Sequence, residues 1–297
     1  MVKPNLRQSL APWLLSMPAF VLFLGLLAVP MALTAILSFN AFDGMRGIQP
    51  GFSLTNYISI LSDSYYYELF LRTGAMALGV TVICIIIGVP ETLILARMRP
   101  SLQGIFFVVI LGPLLISVVV RTLGWQILLS REGAVNSVLL GLHLVNRPVQ
   151  LLFSMTGVII GLTHVLLPFM IVAIWTVLQR LDGQVAHAAR SLGAGPLTTF
   201  RRVTLPQLLP GILSGAIIVF TLSASAFATP SIIGGRRVKV VTTAIYDEFL
   251  NSMDWPLGAA ISVLLLIGIV FVVVGSNKLI ERKFSNCSPR VGEWRCV

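Results

Sequence analysis

Apolar runs of membrane length dominate this sequence of 297 residues. Several runs are about 20 residues or longer and almost free of charge, which is the length that an α-helix needs to cross a bilayer. Charged residues make up 11% of the chain, whereas soluble domains carry about 25%. The alternating pattern of barrel strands is not visible, and helices are the other structure that satisfies backbone groups in lipid. The sequence therefore predicts an all-α integral membrane protein.

Six transmembrane helices are predicted, separated by segments with charged residues or turn formers. The first run is too long for the apolar core of a signal peptide and lacks an obvious cleavage site, so it is interpreted as a retained span. The chain divides into a short N-terminal segment (1–10), a transmembrane domain (11–284) and a tail (285–297). The spans are placed at about 11–37, 69–95, 105–129, 151–178, 208–228 and 256–276.

The distribution of basic residues predicts the orientation of these spans. With six crossings, both termini and the loops after the second and fourth spans share one side. Thirteen of the 21 Lys and Arg residues lie there, which favours the cytoplasm for that side. The net charge of +10 does not indicate nucleic-acid binding, because the basic residues are spread over loops. Membrane lipid headgroups are their expected partners.

The loop at residues 179–207 is predicted to form two short helices joined by a turn. The residues before Gly193 favour helix, and Gly193 suits the left-handed position that ends one. Pro196 suits the first turn of the second helix, which Leu205-Pro206 is predicted to close, because proline disfavours helix at the preceding residue. The small residues of this loop let a partner approach its backbone, with Arg190, Arg201 and Arg202 as polar anchors.

This loop resembles the cytoplasmic loop of permease subunits in type I ABC importers. The family pattern is Glu-Ala-Ala, three residues, Gly and a later Leu-Pro, and His187 stands here in place of the usual Glu. In that family the loop forms the coupling helix, which sits in a cleft of the ATP-hydrolysing subunit. The resemblance therefore implies a coupling role for this loop. The candidate coupling residues are His187, Ala188, Ala189, Arg190, Gly193, Ala194, Phe200, Leu205 and Pro206.

The resemblance also implies the rest of a transport machine in a bacterial inner membrane. Its partners are two ATP-binding subunits, a second related permease and a periplasmic solute-binding protein. The chain has no Gly-x-x-x-x-Gly-Lys-Ser/Thr loop for phosphate, so ATP and magnesium are expected on the partner ATPase. No cofactor, metal site or catalytic group is predicted on this chain. Its three histidines are far apart in sequence, and its three cysteines indicate neither a disulfide framework nor a metal site.

Two further stretches narrow the resemblance to permeases of the spermidine/putrescine branch. They are Phe-Ala-Thr-Pro-Ser-Ile-Ile-Gly-Gly at 227–235 and Asp-Trp-Pro-Leu-Gly-Ala-Ala at 254–260. The leading prediction is a permease for a small cationic solute such as a polyamine. A ferric-iron or opine-type amine importer is an alternative within the family. An ATPase-independent channel or an assembly protein is an alternative outside it, and it leaves the loop pattern unexplained.

Charged and aromatic residues inside the spans are candidates for the solute pathway. Glu91 follows Pro90 in the second span, and pairing with Arg97 or with a lipid headgroup is its alternative role. Arg121 is expected to extend towards the lipid headgroups. Acidic residues of the 231–255 loop attract cations or contact the binding protein, or they form a solvated face. The pathway candidates are Glu91, Trp125 and Trp175, and the candidates on this external loop are Asp247, Glu248 and Asp254.

Overall fold

The structure, a computed structural model, describes residues 6–181, 185, 188, 189, 191–235 and 237–285. Within these residues, five helices are long and apolar enough to cross a membrane. A sixth crossing results if one sharply bent helix pair counts as a single span. The predicted helical membrane architecture is thus confirmed, and its sixth span depends on the bent pair.

The elements follow one another in the chain with mostly short connections. The first half contains α1 (Leu6–Leu37), β1 (Ala41–Asp43), β2 (Gly47–Gln49), α2 (Thr55–Ser62), α3 (Ser64–Arg97), α4 (Pro100–Leu115), α5 (Val118–Leu128) and α6 (Ala134–Gly141). The second half contains α7 (Met155–Leu178), α8 (Pro196–Thr199), a π-helical turn (Phe200–Thr204), α9 (Leu205–Ala224), a second π-helical turn (Pro230–Gly234), α10 (Val241–Leu250) and α11 (Trp255–Ser285).

Hydroxyl side chains inside the long helices bond to their own backbone. On α3, Thr73, Thr81 and Thr92 donate to the carbonyl groups four residues earlier, at 2.7–2.8 Å. A carbonyl that accepts a helical bond has a second lone pair, so these hydroxyls are satisfied without water. This explains how polar residues are tolerated in an apolar helix of 34 residues.

The third predicted span, at 105–129, is wrong as a single helix. α4 and α5 meet at an angle of 97°, because Ile116 and Ser117 leave the helical region of backbone angles. Pro113 lies in the last turn of α4 and has no N–H to donate, which weakens the end of that helix. The side chain of Arg121 instead donates to the carbonyl of Pro113. The break therefore has a cation at the C-terminal end of α4, where the helix dipole favours one.

The chain packs as two units, of which the first consists of Met1–Tyr66 and Ala244–Leu266. β1 and β2 form an antiparallel hairpin in the register Ala41–Gln49. The hairpin turn follows Asp43, whose Oδ1 accepts the Met45 N–H at 2.9 Å. The Asn56 side chain on α2 donates to the carbonyls of Ser38 and Asn40, at 3.0 and 2.9 Å. These bonds hold α2 against the chain that leaves α1.

The second unit consists of Tyr67–Thr243 and Ile267–Val297, and its core lies between α3, α7 and α9. Met76, Val80, Met170, Ile174 and Leu208 are fully buried there. α7 and α9 pack closely because Gly215 has no side chain: a Cβ at that position would lie 2.7 Å from the Met170 sulfur. The core therefore depends on small residues as well as on apolar area, as is usual between membrane helices.

The second π-helical turn packs against one face of α7. A Cβ on Gly161 would lie 2.7 Å from Ile233 Cδ1, and one on Gly157 would lie 2.2 Å from the carbonyl oxygen of Leu151. The two glycines thus make room for the 229–233 segment and for the chain before α7. They do not form a groove for another long helix, although their spacing is typical of one.

Candidate functional site

The chain turns at Gly193, the residue at which the first helix of the 179–207 loop is predicted to end. Gly193 has φ = +86°, and the Ala194 N–H donates to the carbonyl of Ala189 at 3.1 Å. The hydrogen bond from Ala194 back to Ala189 and the left-handed conformation of Gly193 are both features of the Schellman motif, which ends many helices. His187 and Arg190, two of the candidate coupling residues, lie outside the described residues.

The second helix of the loop does not close at Leu205-Pro206, and that prediction is wrong. α8 starts at Pro196, with Gly195 as its extended N-cap, and continues through the π-helical turn into α9. The Leu205 N–H donates to the carbonyl of Phe200, five residues earlier. The wider π turn lets the helix continue to Pro206, which has no N–H to donate to the carbonyl four residues earlier as in an α-helix. Pro196–Ala224 is therefore a continuous helix of 29 residues.

The side chains of the loop divide into an inward and an outward set. Phe200 and Leu205 pack against the core of the second unit, so they anchor the loop to its own chain. Leu192 and Leu197 are 89% and 68% exposed, and sequence reasoning did not select either of them as a contact residue. A Cβ on Gly195 would meet nothing within 4 Å, so packing within the described chain does not require a small residue there. The outward surface of the loop thus combines exposed leucines and glycines with the exposed Arg201 and Arg202.

Among the pathway candidates, Trp125 has a polar partner that sequence reasoning missed. The Trp125 Nε1–H donates to His164 Nδ1 at 3.2 Å, and the ring centroids are 5.4 Å apart. His164 is exposed although it lies in the middle of α7. A polar group at such a depth faces a pathway or a protein partner rather than lipid. The available signal was that His164 is the only histidine within a predicted span.

Arg121 lies one helical turn before Trp125 on α5, but it does not extend outwards. It is 9% exposed, so the expected reach to the headgroups is wrong. The bend between α4 and α5 turns its guanidinium back to the carbonyl of Pro113. Its Nε–H is buried and has no hydrogen-bond acceptor. The next residue, Thr122, contacts Thr229 through its hydroxyl at 3.4 Å.

The other two pathway candidates do not join this cluster. Glu91 is half-buried beside a cavity of about 520 Å³ that Phe106 and other apolar side chains line. The structure describes both Glu91 and Arg97 and shows no ion pair between them. Trp175 packs edge-on against Phe107, with ring centroids 5.1 Å apart. Of the three candidates, Trp125 alone contacts another polar side chain.

The acidic candidates after residue 240 take part in local structure. Asp254 Oδ1 accepts the Leu257 N–H at 3.0 Å and so caps α11. Burial raises the pKa of this carboxyl, while the hydrogen bond from Leu257 lowers it by less. Asp247, on α10, accepts a hydrogen bond from the Asn251 side chain at 2.8 Å. Glu248 lies on the same helix. A Cβ added to Gly258 would lie 3.4 Å from the Glu248 Cβ.

Comparison with known proteins identifies the family. The family described as "binding-protein-dependent transport system inner membrane component" matches residues 9–286. The chain belongs to this family. It is therefore a multi-pass inner-membrane permease component of ABC importers, and its long apolar helices agree with this.

Individual relatives agree with the family match. The spermidine/putrescine transport system permease protein PotB of Salmonella typhimurium is 32% identical over 254 residues, which cover 84% of this chain and 88% of the relative. PotB of Escherichia coli K12 is 33% identical over 249 residues, with 83% and 90% covered. The crystal structure of a bacterial alginate ABC transporter in complex with an alginate pentasaccharide-bound periplasmic protein matches with a TM-score of 0.71 and 16% identity, over 93% of this chain and 97% of that one. That structural likeness shows the fold alone.

Proposed function

We propose that this chain is the permease subunit of a polyamine importer, with spermidine and putrescine as the leading solutes. The observation that carries the proposal is the similarity, over more than four fifths of the chain, to permeases named for spermidine/putrescine transport. The chain spans nearly the whole length of those relatives, so the comparison concerns the complete permease fold.

The complete importer contains two ATP-binding subunits, a second related permease and a periplasmic binding protein. Support comes from the family description, which names dependence on a binding protein, and from the similar alginate transporter solved with its periplasmic protein. ATP and magnesium bind to the ATPase subunits, where hydrolysis takes place. Both termini and the 179–207 loop of this chain face the cytoplasm, which the basic residues favour.

The 179–207 loop couples ATP hydrolysis to movement of the membrane helices. Its outward surface presents Leu192, Leu197 and two glycines to the ATPase, and Phe200 and Leu205 hold it to its own chain. Because Pro196–Ala224 is one helix, a displacement of the loop moves the fifth span with it. A loop and span that move together between two positions fit the two-state conformational changes of transporters.

The solute passes the face of the chain that carries Trp125 and His164. A Trp ring attracts an ammonium group through its negative face, and desolvation strengthens that attraction. The imidazole of His164 accepts the Trp125 N–H and so holds the indole ring in one orientation. This pair supplies a site for one ammonium group of a polyamine, while the second permease supplies the facing wall.

Solute-stimulated ATP hydrolysis by the complete complex in lipid nanodiscs tests the proposal. The binding protein is added with spermidine, putrescine, an opine-type amine or ferric iron, each in a separate reaction. We expect stimulation by polyamines and uptake of the same solutes into liposomes. Stimulation by ferric iron or the opine-type amine alone would replace polyamine as the solute. Failure of any ATPase subunit to copurify with the chain would contradict the importer function and favour a channel or assembly role.

A further inference from the structure

The positive charge of Arg121 has no counter-ion in the part of the chain that the structure describes. Its guanidinium donates to the backbone carbonyl of Pro113, its Nε–H has no acceptor, and no acidic side chain lies within ion-pair distance. Arginine keeps its proton under all ordinary conditions, so the charge is permanent. We propose that Arg121 is an electrostatic barrier that keeps protons and small inorganic cations from leaking along the solute pathway.

The barrier charge lies beside the proposed pathway. Arg121 and Trp125 are four residues apart on α5 and share one face of that helix. The Trp125 ring contacts His164 on the side that this chain leaves exposed. Because Arg121 and Trp125 share this face, the charge of Arg121 repels a cation bound at the Trp125 ring. Arg121 is nine-tenths buried, so water and salt screen its charge far less than that of a surface arginine.

The broken span explains how the charge is held at this place. At the 97° bend the Pro113 carbonyl accepts the Ile116 N–H at 3.3 Å, and it also accepts the Arg121 guanidinium. A neutral amide side chain offers a donor of the same kind without the cost of burying a charge. An arginine differs from an amide by its charge, which the dipole of α4 favours at this end of the helix. At the wall of a pore the same permanent charge excludes cations and protons.

The need for a barrier rests on the proposed function. A pathway that accepts polyamine ammonium groups also accepts smaller cations, and the membrane potential of a living cell drives them inwards. A charge at the pathway wall opposes this leak while the transporter rests. During transport, delivery by the binding protein and ATP-driven movement of the helices carry the polyamine past it. The barrier therefore limits cation leak through the resting transporter, and polyamine uptake is a separate measurement.

The test measures passive leak through the complete complex in liposomes without ATP or binding protein. Potassium and proton fluxes are compared with the flux of mannitol, a neutral solute. We expect Arg121→Gln to raise both cation leaks roughly tenfold and to leave the mannitol flux unchanged, while Arg121→Lys keeps the wild-type fluxes. Arg72→Gln is the matched control, because Arg72 is partly exposed near the start of α3 and pairs with Glu68 at 3.7 Å.

Three results would overturn the barrier. A joint rise of mannitol and potassium fluxes in Arg121→Gln would mean that the broken span has opened, so that Arg121 only positions the backbone. Unchanged cation fluxes would mean that an acid of the second permease neutralises the charge. The third result needs no variant: the residual leak of the wild-type complex must favour chloride over potassium, and a preference for potassium contradicts the barrier. A complex that passes these tests but ignores polyamines would refute the proposed solute and leave the barrier standing.

Discussion

Gly193 determines how the first helix of the 179–207 loop ends. Its φ of +86° lies in the left-handed region, where a side chain with a Cβ costs about 1–2 kcal/mol. The position is open, since a Cβ there would meet nothing within 4 Å. A substitution therefore acts through backbone conformation and through the surface that a partner meets.

We predict that Gly193→Val lowers polyamine uptake and solute-stimulated ATP hydrolysis severalfold, while membrane insertion stays normal. Gly47→Val is the matched control, because Gly47 also has positive φ and open space around it but lies in the β-hairpin. Uptake in liposomes and the amount of assembled complex are measured for both variants. Wild-type uptake by Gly193→Val, with Gly47→Val equally active, would contradict the coupling role of the loop.

Trp125 and Trp175 are two indoles with different surroundings, and they make a second matched pair. Trp125 contacts a histidine on an exposed face, whereas Trp175 packs against Phe107. We predict that Trp125→Leu raises the polyamine concentration for half-maximal ATPase stimulation roughly tenfold, since a desolvated cation–π contact is worth about 1–2 kcal/mol. Trp125→Phe should retain most of the affinity. Trp175→Leu should lower thermal stability and leave that concentration unchanged, and a reversed pattern would place the pathway at Trp175.

At the scale of elements, the continuous helix from α8 to α9 links the loop to the membrane. The π turn at Phe200–Thr204 interrupts the regular α-helical ladder of this lever, and such turns are frequently found at functional sites. Phe200, the first residue of this turn, packs against the hydrophobic core of the second unit. Stiffness of the turn is thus required if the loop is to move the fifth span.

We predict that the double substitution Val203→Gly/Thr204→Gly uncouples the importer. Each glycine weakens a helix by about 1 kcal/mol, so the lever bends instead of transmitting the displacement. Basal ATP hydrolysis should persist while uptake per ATP falls severalfold. The control is the same double replacement on α2, at Ile58 and Ser59, where the helix is short and outside the loop. Equal coupling ratios in the two variants would show that the π turn transmits no movement.

At the scale of the whole molecule, the broken span decides which loops share a side of the membrane. Between the β-hairpin and the 179–207 loop lie α3, the α4–α5 pair and α7. If the bent pair crosses the membrane, three crossings separate the hairpin from the loop and place them on opposite sides. If it does not, both lie on the same side.

We predict that Met45→Cys and Leu192→Cys are labelled from opposite sides of the membrane by an impermeant maleimide, in a background without the native cysteines. Met45 is 98% exposed and Leu192 is 89% exposed, so both positions are accessible when the chain is inserted without the ATPase subunits. Leu192→Cys should react only when the cytoplasmic side is open. Labelling of both positions from the same side would show that the α4–α5 pair is re-entrant and that the chain has five spans.

The sequence by itself determined the fold class, the family and the position of the loop. Long apolar runs permit only helices in lipid, and the left-handed stop at Gly193 follows from local backbone chemistry, which a single chain segment contains. Only the tertiary structure decided the 97° break after Pro113, the passage of a helix through Pro206, and the meeting of Trp125 with His164. These depend on partners far apart in the chain or on a choice between α and π turns. The periodicity of apolar residues predicts which side of a helix is buried. It does not predict which distant side chains meet or where a π turn forms.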